Sequence, residues 1–271
     1  MKTLIYIVCI FLSLLSIFPF WVMFMNATRS TYQVQQSSVA LLPGKHLIQN
    51  WKILTGKAFN PWVGFYNSMT ISIGTTLCAV YFSSLTAYAL VAYRWRARDA
   101  FFSFIMAVLM IPAQISGIGF YQFMYRVGWT NSLLPLILPA IASPAMVFFM
   151  RQYLMASLSL DIVDSARIDG SGEFRTFNQI VLPIMKPAMA TQAIFTFVAS
   201  WNNLFIPLIL LTRQSKYTMP IMVSLLRGDI YKTEYGSVYL GLSLTVLPLF
   251  VIYFILSKYI IAGVALGALK E

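Results

Sequence analysis

The sequence predicts an all-α integral membrane protein with six transmembrane helices and a helix–turn–helix on one membrane face. Three observations carry that prediction. Hydrophobic residues make up 59% of the 271 positions and charged residues only 10%, against roughly 25% charged in soluble domains. Several apolar stretches of about 20 residues carry no charge, the length needed to cross about 30 Å of hydrocarbon. These stretches are continuously apolar, whereas barrel strands alternate polar and apolar positions.

The first expected span covers residues 3–26. Lys2 followed by an apolar run is also the opening of a signal peptide, but the run continues to Met25 with no small-x-small cleavage site beside it. A retained helix is the better reading. A long loop follows over residues 27–66, with Pro43, Gly44, His46, Trp51 and Pro61. The second span, 67–92, ends at the tight basic turn Arg94-Trp95-Arg96-Ala97-Arg98. Such a cluster in a short loop marks the cytoplasmic side. The third span is expected at 101–123 and the fourth at 132–152. After a polar segment come a fifth at 184–211, a second long loop at 212–236 and a sixth at 237–261. The basic turn places both termini and the segment after the fourth span in the cytoplasm. The chain reads as one transmembrane domain, residues 1–271.

Net charge is +11. In a soluble protein that balance would suggest nucleic acid. Here cationic residues flank spans and face lipid headgroups, so lipid is the expected contact and nucleic acid is not. Cys9 and Cys78 fall inside expected spans and His46 is the single histidine, which speaks against a disulfide or a metal site. Gly44-Lys45 lacks the earlier glycine and the following Ser/Thr of a phosphate loop. No catalytic constellation stands out, so the chain reads as non-catalytic and without a cofactor of its own.

The segment from Leu160 to Pro187 stands apart. It holds Asp161, Asp164, Asp169 and Glu173, four of the chain's eight carboxylates, and it is longer than a connection between spans requires. Ser157 and Ser159 suit helix N-caps. Residues 160–168 read as a short helix with Leu158, Ile162, Val163 and Ala166 near one face and Asp161, Asp164 and Ser165 toward another. Gly170 ends it, since glycine tolerates the left-handed conformation. Ser171 and Glu173 suit the first turn of a second helix, with Phe174, Phe177 and Ile180 as its apolar side. Pro183 and Pro187 fit the first turn of the fifth span. Such a helix–turn–helix can insert into a groove on a partner. It can equally lie on lipid, with Asp164 and Arg167 as a local i,i+3 pair.

The pattern resembles the "EAA loop" of ABC import permeases, the element that docks on an ATPase subunit. The consensus Glu-Ala-Ala, then Gly, then Ile-x-Leu-Pro falls here on Asp164-Ser165-Ala166, Gly170 and Ile180-Val181-Leu182-Pro183. Asp169-Gly170 matches the frequent Asp-Gly before the turn. Asp164 replaces Glu and Ser165 replaces the first Ala. The resemblance extends along the chain. Trp201-Asn202-Asn203 with Pro207-Leu208-Ile209 is similar to the Trp-Asn-Asp…Pro-Leu-Ile pattern of carbohydrate permeases. Thr218-Met219-Pro220, Ala87-Tyr88-Ala89-Leu90, Met110-Ile111-Pro112 and the ending Gly263…Gly267-Ala268-Leu269-Lys270 also match. Ser116-Gly117-Ile118-Gly119 departs from the usual Ile-Pro-Leu.

The resemblance is to the smaller permease of maltose- and oligosaccharide-type importers with the type I ABC importer fold. It implies a docking loop at 157–183, with Asp164, Ser165, Ala166, Asp169, Gly170, Ser171, Ile180, Leu182 and Pro183 at the ATPase contact. It implies a second homologous permease, a dimer of ATP-binding subunits that hold ATP and Mg, and an extracytoplasmic sugar-binding protein. The setting implied is a prokaryotic cell membrane. For the substrate path, the expected spans offer neutral amides and aromatics: Asn67, Gln114, Tyr121, Gln122, Trp201, Asn202 and Asn203. Amides pair with hydroxyls and aromatic faces stack on sugar rings. The same residues serve equally to glue helices or mark the membrane interface. An ion-coupled secondary transporter is the alternative, and it would call for an ionisable group mid-span. A membrane scaffold with no pathway is a third possibility.

Overall fold

The computed structural model describes residues 2–56, 60–226 and 233–268, with side chains except at positions 2, 113–115 and 256–268. Residues 227–232 of the expected second long loop, and Leu269-Lys270 of the C-terminal motif, lie outside the described residues. The described residues form helices and no strand. They divide into two compact units, one of residues 1–66 and 217–250, the other of residues 67–216 and 251–271.

In the first unit, α1 (Lys2–Ala27) is the first expected span, exposed along most of its length. The following loop is ordered by two short helices, α2 (Thr31–Gln36) and α3 (Leu47–Thr55). Ser30 and Gln33 form a capping box at α2, satisfying donors that the first helical turn leaves free. The Arg29 guanidinium donates to the carbonyls of Ser37 at 2.8 Å and Gln33 at 3.0 Å. Buried Asn50 donates to the carbonyls of Ala27 and Arg29 at 2.8 and 2.9 Å. Backbone in the loop is thereby paired although the loop is irregular.

The second unit carries most of the remaining spans. The helix α4 (Pro61–Ala92) contains the second span. The expected third span is not one helix. It is α5 (Arg98–Leu109) followed by α6 (Ala113–Val127), interrupted over Met110–Pro112. Proline removes an intrahelical donor and pushes the preceding residue away from helical geometry, and Pro112 does this in the middle of an apolar run. The fourth span is a composite of α7 (Leu134–Ile137), a 3₁₀ turn at Leu138–Ile141 and α8 (Pro144–Ser157). Then come α9 (Leu160–Ile168) and α10 (Glu173–Thr176), a π turn at Phe177–Val181, and α11 (Leu182–Ile184).

The expected fifth span is also broken. At its start, at residue 184, the chain bends by 79° between Glu173–Ile184 and α12 (Lys186–Trp201). It stops again at Asn202, before α13 (Phe205–Leu210). The first unit resumes with α14 (Met219–Leu225), and α15 (Tyr235–Ala268) contains the sixth expected span. Among the described residues, four helical runs are long and apolar enough to cross a membrane: Thr3–Ala27, Pro61–Ala92, Leu134–Ser157 and Tyr235–Ile255. The bent pair Glu173–Ile184 and Lys186–Trp201 makes a fifth.

The core of the second unit lies beneath the 157–183 segment. Val163 of α9, Phe177 and Val181 of the π turn and Met185 at the bend are fully buried against Met150 and Leu154 of α8 and Ala87 and Tyr88 of α4. The segment is therefore packed onto the helices that precede it.

Candidate functional site: an outward-facing helix and a charge-free cleft

The helix α9 begins after Ser159 and ends at Asp169, matching the expected 160–168. Ser159 occupies the cap position but its hydroxyl donates to Asp161 Oδ2 at 3.3 Å, and no side-chain bond caps the helix. The C-terminal end is tighter. Gly170 has φ +75°, its N–H donates to the Arg167 carbonyl at 3.0 Å, and the Ser171 N–H donates to the Ala166 carbonyl at 2.9 Å. Together these bonds are the Schellman closure of a helix.

The faces of this segment differ in part from the amphipathic reading. Val163 and Ala166 are buried, as expected. Ile162 and Phe174, expected on the apolar sides of their helices beside Val163 and Phe177, are 45% and 68% exposed; Leu160 at 42% and Ile168 at 87% join them. Four apolar side chains thus stand in the open beside Asp161, Asp164 and Ser165, which are also exposed. The helix thus has one apolar face against its own core and an outer side on which Leu160, Ile162 and Ile168 alternate with Asp161, Asp164 and Ser165, with none of the described residues over it. Exposed apolar patches of this kind mark sites of association. Of the remaining expected contact residues, Ser171 accepts from the Thr176 hydroxyl at 3.0 Å. Asp169 and Pro183 are exposed, and Ile180 and Leu182 are half-buried.

One cluster in this segment was not visible in the sequence. The Glu173 carboxylate accepts from Arg167 Nε at 2.7 Å and Nη2 at 3.4 Å, from the Tyr88 hydroxyl at 3.2 Å, and from the Tyr93 hydroxyl. Arg167 also donates to Asp164 Oδ1 at 2.8 Å and lies 5.4 Å above the Tyr93 ring. Hydrogen bonds from Arg167 and then Tyr93 hold the Glu173 carboxyl below the usual carboxylate range, partial burial opposing them. The same carboxylate raises Arg167, and burial first, then Glu173, raises the Tyr93 hydroxyl. Each group is thereby held in the form its partner needs. Tyr88 and Tyr93 are about 80 positions away in sequence, so no local pattern announces the cluster.

The second feature is a cleft of about 440 Å³ in the same unit. Thr75 of α4, Ser116 and Phe120 of α6, Thr196 and Ser200 of α12 and Asn203 at the α12–α13 break supply its polar and aromatic lining, and among the described residues no ionisable side chain takes part. Both interrupted helices meet it, α6 just after the Pro112 break and α12 just before its own. Gly117 allows the approach of α13: a Cβ there would lie 2.8 Å from the Phe205 ring. Irregular backbone at membrane depth is tolerated where it lines a cavity or is buried in protein.

Of the expected pathway residues, Asn203 lines this cleft. Asn202 lines a second, more apolar cleft of about 500 Å³ with Phe195 and Tyr253. Asn67 is buried and donates to the Ser215 carbonyl at 3.1 Å, and Trp201 is buried and stacked on Phe197. Tyr121 and Gln122 are exposed and border neither cleft. The Gln114 side chain lies outside the described residues. Thr75, Thr196 and Ser200 were missed, since single hydroxyls in apolar helices give no periodic signal.

Comparison with known proteins identifies the family. Residues 79–265 match the family described as "Binding-protein-dependent transport system inner membrane component". The arabinooligosaccharides transport system permease protein AraQ of Halalkalibacterium halodurans is 32% identical over 96% of this chain and 93% of its own length. The lactose transport system permease protein LacG of Rhizobium radiobacter is 31% identical over 94% of this chain and 92% of its own. The crystal structure of a bacterial ABC transporter involved in the import of the acidic polysaccharide alginate shares the fold, with a TM-score of 0.81 at 21% identity over 96% of both chains. A predominantly apolar helical chain matched over nearly its whole length by permeases is a multi-pass membrane protein, and it belongs to the inner membrane components of binding-protein-dependent transport systems.

Proposed function

We propose that this chain is one of two permease subunits of an ATP-driven importer and passes a neutral sugar or oligosaccharide into the cytoplasm. The observation that carries the reading is α9. It is closed by a Schellman turn, anchored from below by Val163 and Ala166, and open to a partner through Leu160, Ile162 and Ile168. A rigid short helix with an exposed outer side of apolar and acidic residues suits insertion into a groove on an ATPase. ATP and Mg belong to that partner, and this chain performs no chemistry of its own.

Six crossings follow if each broken run counts as one: α1, α4, α5 with α6, α7 with α8, α12 with α13, and α15. Residues 1–271 then act as one permease domain, with both termini and the 157–183 segment on the cytoplasmic side. The cleft supports the substrate class. Hydroxyls at Thr75, Ser116, Thr196 and Ser200, the Asn203 amide and the Phe120 ring offer hydrogen bonds and a stacking surface without charge. Relatives named for arabinooligosaccharides and lactose agree with a sugar, and the neutral class rests on the cleft lining rather than on relatives, one of which is named for sn-glycerol-3-phosphate. An ion-coupled carrier would need an ionisable group along the path, and the described residues that line the cleft include none. In the cycle that follows, a sugar-binding protein delivers from outside. ATP closes the partner ATPases, and α9 carries that motion into the spans, which rock between outward and inward access around the cleft.

The test is a pull-down of the chain from its native membrane. Recovery of a second permease and a nucleotide-binding subunit, lost when residues 160–182 are replaced by a neutral linker, is the expected result. Recovery of the chain alone, carrying sugar in liposomes without ATP, refutes it.

A further inference from the structure

We infer that Glu173 is the strut that joins the docking helix to the second span, so that α4 is driven directly by the ATPase through a four-bond carboxylate hub. The inference rests on the docking role proposed above. Mere anchoring of the segment needs no such hub, because Val163, Phe177, Val181 and Met185 already bury an apolar foot against α4 and α8. The hub adds direction. Arg167 reaches Glu173 from α9 through Nε and Nη2, and Tyr88 and Tyr93 reach the same carboxylate from the end of α4. Asp164, which faces the partner, is tied to the other side of Arg167 at 2.8 Å. The result is one chain of charge-assisted bonds: Asp164, Arg167, Glu173, Tyr88 with Tyr93. The Arg167 Nε and Tyr93 bonds at its centre are short, and charge-assisted bonds are directional, so a displacement of α9 is delivered to α4. Further along, α4 presents Thr75 to the cleft. The strut therefore connects the partner-facing helix to a pathway wall on a single rigid element. Glu173 touches neither nucleotide nor sugar, and it acts as a positioning residue.

Three variants test this in the intact complex. Glu173→Ala cuts the hub. Glu173→Gln keeps an acceptor for the tyrosines and loses the ion pair. Tyr88→Phe with Tyr93→Phe removes the hydroxyls from the span side alone while keeping both rings. Each is combined with Thr75→Cys as a reporter, with Cys9 and Cys78 replaced, and labelled with a charged maleimide with and without ATP. The readouts are co-purification of the nucleotide-binding subunit, ATP hydrolysis, and the ATP-driven change in labelling at position 75. With the native hub, ATP is expected to change labelling by about tenfold, a typical coupling between sites. In Glu173→Ala and in the double phenylalanine variant the ATPase still co-purifies and hydrolyses ATP, but the change falls below about twofold. Glu173→Gln lies between. Combining the alanine and phenylalanine changes adds nothing further, since both cut the same connection.

Labelling that still responds fully to ATP in the phenylalanine variant, or that shows no ATP response with the hub intact, overturns the strut. A parallel loss of hydrolysis and labelling change also overturns it, because that is damage to the complex rather than uncoupling. If no nucleotide-binding subunit accompanies the unaltered chain, the docking role itself fails. Should Glu173→Ala not assemble, the glutamine and phenylalanine variants decide the matter.

Discussion

Replacing Gly170 tests the docking segment at its most constrained backbone position. Its φ of +75° is left-handed, a conformation that costs a residue with a Cβ roughly 1–2 kcal/mol. A Cβ built on Gly170 meets nothing within 4 Å. The penalty for alanine is therefore purely conformational, with no steric part to confuse it. An energy of that size lowers the population of the closed turn by roughly 5–30-fold relative to its frayed alternatives. Asparagine tolerates the left-handed region better than alanine does. Proline is worse on two counts: its φ is fixed near −65°, and it removes the N–H that donates to Arg167. The expected order of ATP-coupled uptake in liposomes is glycine, then asparagine, then alanine, then proline. Membrane insertion should be unchanged across the series, since the turn lies outside the apolar spans. Equal uptake by the alanine and asparagine variants, or normal uptake by Gly170→Pro, would show that the partner does not read the shape of this turn.

Asp164→Lys replaces an exposed pair by like charges three residues apart on α9. Exposed pairs are worth about 0.2–1 kcal/mol, so thermal stability should barely move while the recovery of ATPase in a pull-down falls. Ser200→Phe places a ring in the cleft and should lower import by about tenfold, the equivalent of roughly 1.4 kcal/mol, with ATPase association intact. Loss of association instead would relocate Ser200 to an interface. The hub should also set a pH limit. A carboxyl held below its ordinary value contributes stability that is complete above the unfolded pKa and is lost as pH falls through the folded one. Coupled ATP hydrolysis should therefore be flat from pH 8 to about 5 as far as Glu173 is concerned and weaken only below about pH 4.5. The groups facing Glu173 are Arg167, Tyr88 and Tyr93; an inflection near neutrality would point away from them.

Much of the fold could be read from composition, because a charge-free run of 20 residues has few other places to be. The α9 boundaries and the Gly170 turn were equally legible, since capping and left-handed glycine are local chemistry. The breaks at Pro112 and after Trp201 were harder. A hydropathy window averages across an interruption, and only burial beside a cleft makes one tolerable. Pro112 did carry a signal, as a proline in mid-run. The exposure of Ile162 and Phe174 was not legible for a different reason: amphipathic reasoning sorts apolar from polar positions and does not say which apolar positions the rest of the chain covers. The Glu173 cluster depends on tyrosines that only tertiary folding brings near.

The π turn at Phe177–Val181 has a consequence for register. Its closing bond runs from the Leu182 N–H to the Phe177 carbonyl, one residue more than an α-helix uses. Each residue of a helix advances its facing by about 100°. The extra residue therefore acts as a phase shifter between two gears. Upstream side chains keep the azimuth that meets the tyrosines, and downstream ones keep the azimuth that meets the spans. A single deletion within the turn would leave every residue's chemistry intact and set the two halves out of step.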